Sequence, residues 1–167
     1  MKPEEKQRNI ELAEALLKEQ ALGVAMVSGV ITMILGSGIY AVAALVVGGD
    51  SVSVLVIAIG AAIGLSMQYL GRGITTDFTV VASLIAALSY PVAKFFTIAL
   101  YTVKLDRIPV TDLFNSGRMV SLVNWVLSGL GLVDLIFWLG AIIAAAFLAK
   151  RRLSIDEGQA IRTYERR

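Results

Sequence analysis

The chain contains no cysteine and no histidine. The first absence excludes disulfides, thiolate metal centres and a cysteine nucleophile. The second removes the commonest general base and nitrogen metal ligand. Proline is scarce, with three in 167 residues, so long helices meet few interruptions. Charge is missing over long stretches: Ala21 to Gly49 runs 29 residues without an ionisable acid or base, and Ser51 to Gly71 runs a further 21. There is no Gly-x-Ser-x-Gly, no zinc-ligand spacing and no paired-carboxylate site. The sequence therefore nominates no catalytic residue, no cofactor and no metal site.

What is abundant is apolar surface. Hydrophobic residues make up 57% of the chain and the mean hydropathy is +0.77. A soluble domain holds roughly 45–50%, so the excess implies an apolar solvent. The first twenty residues are charged and helix-forming, unlike a signal peptide.

The expected fold is an all-α membrane protein. It is a four-helix transmembrane bundle with short amphipathic cytoplasmic helices at both ends. Spans are expected at about 21–47, 52–70, 78–103 and 130–149, since about 20 apolar residues cross the hydrocarbon. Gly48-Gly49-Asp50-Ser51 reads as a tight turn, and Gly71-Arg72-Gly73 as a helix break before Thr75, Thr76 and Asp77 cap the third span. Residues 119–128 fit either an interfacial helix or an extension of the fourth span. Residues 1–20 form the N-terminal helix, with Ile10, Leu12, Ala13, Leu16 and Leu17 on its apolar side. In the basic tail, 150–167, Ser154 and Glu157 have capping-box spacing, so a short helix should follow.

Charge asymmetry sets the orientation. Eleven basic residues belong to one side: Lys2, Lys6, Arg8, Lys18, Arg72, Lys150, Arg151, Arg152, Arg162, Arg166 and Arg167. Lys104, Arg107 and Arg118 belong to the other. The positive-inside rule puts both termini in the cytoplasm of a multi-pass inner-membrane protein. Lys150, Arg151 and Arg152 then suit anionic lipid heads, which explain the basic tail more simply than nucleic acid does.

Helices in lipid associate through small residues. The expected stripes are Ala25, Gly29, Thr32, Gly36 and Ala43; Ser53, Gly60, Gly64 and Gln68; Ser83, Ala87, Tyr90, Lys94, Thr97 and Tyr101; and Gly131, Asp134, Trp138, Ala141 and Ala145. Gly29, Gly36, Gly60, Gly64, Gly131 and Ala141 are the principal packing candidates. Lys94 and Asp134 are the two charges inside the spans. Each lies 16 residues from the inner end of its span, about 24 Å at 1.5 Å per residue. An intramembrane charge is normally paired or wet, so a Lys94–Asp134 pair is expected. Pro91 removes a backbone donor one turn before Lys94 and leaves a carbonyl without its helical partner.

Gly71-Arg72-Gly73 with Phe78, and Leu132-Val133-Asp134-Leu135-Ile136-Phe137-Trp138 followed by small residues and a basic stop, resemble a family of small bacterial membrane proteins with four predicted spans. The resemblance covers about residues 60–152. Where that family commonly carries Gly-Cys, this chain has Ser89-Tyr90. The family has no established activity, so the resemblance implies topology. The functional expectation is a non-enzymatic accessory or scaffold subunit, in a homo-oligomer or a larger membrane complex. The alternative is a small oligomeric channel or transporter using Lys94 and Asp134.

Overall fold

The computed structural model describes positions 3–48, 52–106, 131–151 and 153–165, and single positions 117, 120, 121, 124, 126 and 128. Most of the third loop, most of 119–128 and the turn at 49–51 lie outside the described residues. Among the described residues there are six helices and no strand: α1 (Pro3–Lys18), α2 (Leu22–Val47), α3 (Leu55–Gly71), α4 (Thr76–Asp106), α5 (Leu132–Leu148) and α6 (Ile155–Glu165). The all-helical expectation is met. Of the described helices, α2 and α4 are long and apolar enough to cross a membrane. α3 and α5 have 17 residues each, shorter than the 52–70 and 130–149 expected.

Helices α2 to α5 form one bundle. α3 runs antiparallel to α2, with the Gly29 position against Met67 and Gly36 against Ile59. α5 runs parallel to α3: Ser53 meets Asp134, Gly60 meets Ala141, Gly64 meets Ala145 and Gln68 meets Lys150, each pair 81 or 82 residues apart. α4 lies between α2 and α5, touching α2 through Gly29–Ile85 and α5 through Trp138.

The core combines small residues with large ones. Ala25, Ala41, Ala82, Ala86, Ala93, Ala141 and Ala145 are fully buried, beside Met33, Ile63, Met67 and Phe78. Large apolar side chains point outward instead. Val27, Ile31, Leu35, Ile39, Val42 and Val46 run down the exposed side of α2 at steps of three and four. Ile143 and Phe147 of α5 are 67% and 72% exposed.

Gly60 and Gly64 are where one helix lies closest to the backbone of another. A Cβ at Gly60 would sit on the Ala141 carbonyl, and one at Gly64 would lie 2.7 Å from the Ala145 carbonyl oxygen. Gly29 and Gly36 face side chains at 3.0 Å. Gly131 does not belong with them. It is exposed, and an added Cβ would meet only Asp134 Oδ2, at 3.7 Å, because it precedes α5 instead of lying within it. The α2 stripe is met in part: Ala25 and Gly29 are buried as expected, but the buried face departs from it further along. Ser28, Met33, Ser37, Tyr40 and Ala44 are buried, while Thr32, Gly36 and Ala43 are half-buried.

The termini share one end of the bundle, where α1 packs on α6. Ile10, Ala13, Leu16 and Ala160 are buried there, Leu17 is half-buried and Leu12 is exposed. The amphipathic face of α1 is thus partly covered by the other terminal helix. The capping box forms: Ser154 N–H donates to Glu157 Oε2 at 2.8 Å and Glu157 N–H to Ser154 Oγ at 3.3 Å. Backbone links knit the same end together. Ala21 N–H donates to the Gly71 carbonyl at 3.0 Å, and Arg151 N–H to the Gly73 carbonyl at 2.8 Å. The Gln20 side-chain oxygen accepts from Ile74 and Thr75 N–H, at 3.3 and 3.4 Å, just before α4 begins. In the break, Arg72 holds the left-handed conformation at φ 50°, while its neighbours are glycine for space: Gly71 lies against Ala25 and Gly73 against Phe78.

Gly60→Val should therefore destabilise the bundle by about 2 kcal/mol, because backbone cannot retreat from the added carbon as a side chain can. Gly131→Ala should be near neutral. Unfolding of the purified chain by denaturing detergent measures both.

Candidate functional site

The ion pair and most of the buried hydroxyls lie in the half remote from the termini. Asp134 sits in the first turn of α5, where an anion is favoured by the free N–H groups of a helix start. Its Oδ1 accepts from Ser53 Oγ at 2.9 Å. Its Oδ2 lies 3.4 Å from Lys94 Nζ and accepts from Gly131 N–H at 3.4 Å. The structure thus brings Lys94 and Asp134 together, with side chains 20% and 14% exposed. Three segments converge on one carboxylate: the turn before α3, the middle of α4 and the start of α5.

Aromatic rings wall the cluster. Lys94 Nζ lies 5.4 Å from the centre of the Tyr90 ring, within cation–π range. Tyr90 packs edge-on against Tyr40 at 6.5 Å and tilted against Trp138 at 6.0 Å. Tyr40, Tyr90, Ser37, Ser53 and Ser89 are buried. Ser37 Oγ donates to the Ser89 carbonyl at 3.2 Å, and Ser89 Oγ to the Ala86 carbonyl at 2.7 Å.

Pro91 lies one turn below Lys94, inside a continuous α4. The donor it lacks would have served the carbonyl four residues back, that of Ala87. Trp138 Nε1–H of α5 donates to that carbonyl at 2.9 Å. The freed carbonyl is therefore matched by a neighbouring helix and not by Lys94.

Ser53 and Trp138 are the partners that charge and spacing alone did not name. Both lie on the small-residue stripes, but their hydrogen-bond roles depend on the parallel α3–α5 register, which no local pattern contains. At the other end, the lipid-head candidates divide. Arg151 is engaged by Glu157 at 3.0 Å, so its charge is compensated within the chain. Lys150 is half-buried, and its carbonyl accepts from Gln68 Nε2 at 3.1 Å. Arg152 lies outside the described residues. Arg72 pairs with Glu19 at 3.1 Å on the surface. Among the described residues no group of three or more carboxylate side chains is placed to hold a metal ion.

Comparison with protein-family profiles, curated proteins and solved structures returns no match.

Chemically, the cluster is a neutral ion pair with a satisfied carboxylate. Removing one partner strands a charge in a poorly solvated site, whereas removing both does not. Lys94→Met and Asp134→Leu should each cost about 3 kcal/mol. The double variant should cost clearly less than the sum of the two, although Ser53 then loses its acceptor. A double-mutant cycle on unfolding reads the coupling, and strict additivity would show that the two charges do not interact. Exchanging the charges should rescue little, since Ser53, Gly131 N–H and the α5 N-terminus all require an anion at position 134.

Proposed function

We propose that the chain is a multi-pass protein of the bacterial inner membrane in which α2, α3, α4 and α5 all cross the bilayer, with both termini cytoplasmic. In this reading it is a non-enzymatic accessory or scaffold subunit, acting through its helix faces and through the paired α1 and α6. The observation that carries the proposal is the extensive aliphatic surface that the bundle turns outward. Small residues line the closest helix contacts, and large aliphatic side chains cover the outside, with Leu35 64% and Ile39 68% exposed. Water penalises that arrangement, since large exposed apolar patches are unfavourable on soluble monomers. Lipid favours it, because helices there gain by close contact through small residues.

The lengths of α3 and α5 are compatible with spanning. Seventeen residues rise about 26 Å, at the short end for a crossing helix. α4, with 31 residues, rises about 46 Å and would project beyond the hydrocarbon. The bilayer would thin around α3 and α5, or the flanking turns would complete their crossing. Anionic lipid heads are the expected contacts of Lys18 and Lys150 at the cytoplasmic face. Affiliation with the small bacterial four-span family belongs to the same proposal, as does assembly into a homo-oligomer or a larger membrane complex. No nucleic-acid partner is proposed.

The competing channel or transporter reading requires Lys94 and Asp134 to line a path. Their separation of 3.4 Å, and the further hydrogen bond from Ser53, favour a packing role. Purification from membranes in mild detergent, followed by native mass measurement, distinguishes the readings. The scaffold role predicts a stable complex with a different protein. A homo-oligomer that passes ions into liposomes, with flux abolished by Lys94→Met, would overturn it.

A further inference from the structure

We propose that the cleft between α1 and α6 binds a phosphate ester that also carries free hydroxyl groups. That chemistry is shared by a soluble sugar phosphate and by the glycerophosphate head of an anionic lipid. The site rests on the docking of the two terminal helices and not on the scaffold role. The helices meet along Ile10, Ala13, Leu16 and Ala160, which are buried. Beside that seam they leave an open cleft of about 1050 Å³. Each wall is one side of a helix. Arg8 and Leu12 line it from α1 four residues apart, and Asp156, Gln159 and Arg162 line it from α6 three residues apart.

Charge sets what the cleft takes. Elsewhere at this end opposite charges pair where they meet, as in Arg72–Glu19 and Arg151–Glu157. Lys6, Arg8 and Arg162 all line the cleft, yet among the described residues none of the three has an ion-pair partner. Two guanidiniums and an ammonium attract an anion, and the guanidinium fork fits phosphate oxygens in pairs. A bare phosphate would leave most of the space unfilled, since sites of roughly 300–1000 Å³ hold whole drug-sized ligands. The other lining groups define the rest of the molecule. Asp156 also has no ion-pair partner among the described residues. It repels phosphate, so it suits a ligand that donates to it. Glu5, the other acid on the wall, is already engaged. Thr163 Oγ1 donates to the Gln159 carbonyl at 2.8 Å, which leaves its oxygen as an acceptor. The Asn9 and Gln159 amides donate as well as accept. Hydroxyls satisfy this mixture, because they donate to the acid and the threonine and accept from the amides. An ammonium would only donate. Among the described lining residues there is no aromatic ring on which a nucleobase could stack.

The test uses the full chain in two arms. In the first, the chain in phosphatidylcholine nanodiscs is titrated by calorimetry with glucose 6-phosphate and, separately, with inorganic phosphate. Phosphatidylcholine offers phosphate without hydroxyls, so it does not compete. In the second, the chain is purified from phosphatidylglycerol membranes and the retained lipid is counted by native mass measurement. Arg8→Gln and Arg162→Gln alter exposed side chains outside the buried seam. Each should weaken glucose 6-phosphate about tenfold, the loss of a charge-assisted contact, or should release one bound phosphatidylglycerol. Asp156→Asn should weaken the hydroxyl-bearing ligand in whichever arm binds and leave inorganic phosphate unchanged. Arg72→Gln, outside the cleft and paired with Glu19, should change neither arm. Arginine-dependent binding in the first arm assigns a soluble ligand, and in the second arm alone a lipid head. Binding in neither arm, an equal loss with Arg72→Gln, or an Asp156→Asn variant that binds the hydroxyl-bearing ligand as tightly as the parent would each overturn the proposal.

Discussion

Gly60 and Gly64 let the backbone of α3 lie directly on Ala141 and Ala145 of α5, and the remaining geometry follows from that contact. Two parallel helices joined so closely have one register. It puts Ser53 at the height of Asp134 and Gln68 at the height of Lys150, so hydrogen bonds close the seam at both ends. Fixing Asp134 in turn fixes where a cation must be, and Lys94 of α4 meets it. A side chain at either glycine would push the helices apart and shift every one of these pairs.

The interior then has two characters. Toward the termini it is mostly apolar, with Met33, Ile63, Met67, Phe78 and Ile85 packed together and the Ser28 and Thr79 hydroxyls among them. Toward the other end it contains hydroxyls, aromatic rings and the ion pair. A polar group far from water must find a partner inside the protein, or its burial costs on the order of 1–3 kcal/mol. Ser28, Ser89 and Thr97 use carbonyls of their own helices, while other partners come from neighbouring segments: Ser53 for Asp134, Ser37 for the Ser89 carbonyl, Trp138 for the Ala87 carbonyl. Such contacts add directional constraints that small-residue packing lacks, because a small-residue surface tolerates more than one sliding position.

Several features were legible in the sequence for simple reasons. Helical class follows from long uncharged runs with few prolines. The Ser154–Glu157 capping box follows from spacing alone, because it is local. Counting residues from a common edge puts Lys94 and Asp134 at one height, although contact also needs the right helix faces. The failures have physical reasons too. Gly131 shares the periodicity of its stripe but precedes the helix, so the stripe ends at Asp134. The α2 stripe was read from small residues alone, whereas the buried face admits Met33 and Tyr40 where neighbouring helices leave room. Arg151 reads as a free charge until Glu157, six residues on, folds back to it. The lengths of α3 and α5 depend on turns that hydropathy does not register.

The central claim is that the outward aliphatic surface of all four bundle helices faces lipid. Electron paramagnetic resonance of single nitroxides at Leu35, Ala58, Leu84 and Ile143, one on each helix and all exposed, tests it directly in reconstituted bilayers. The account predicts high accessibility to oxygen and low accessibility to a water-soluble nickel chelate at all four. High chelate accessibility at Ala58 or Ile143 would contradict it, placing α3 or α5 in water and leaving α2 and α4 as the crossing pair.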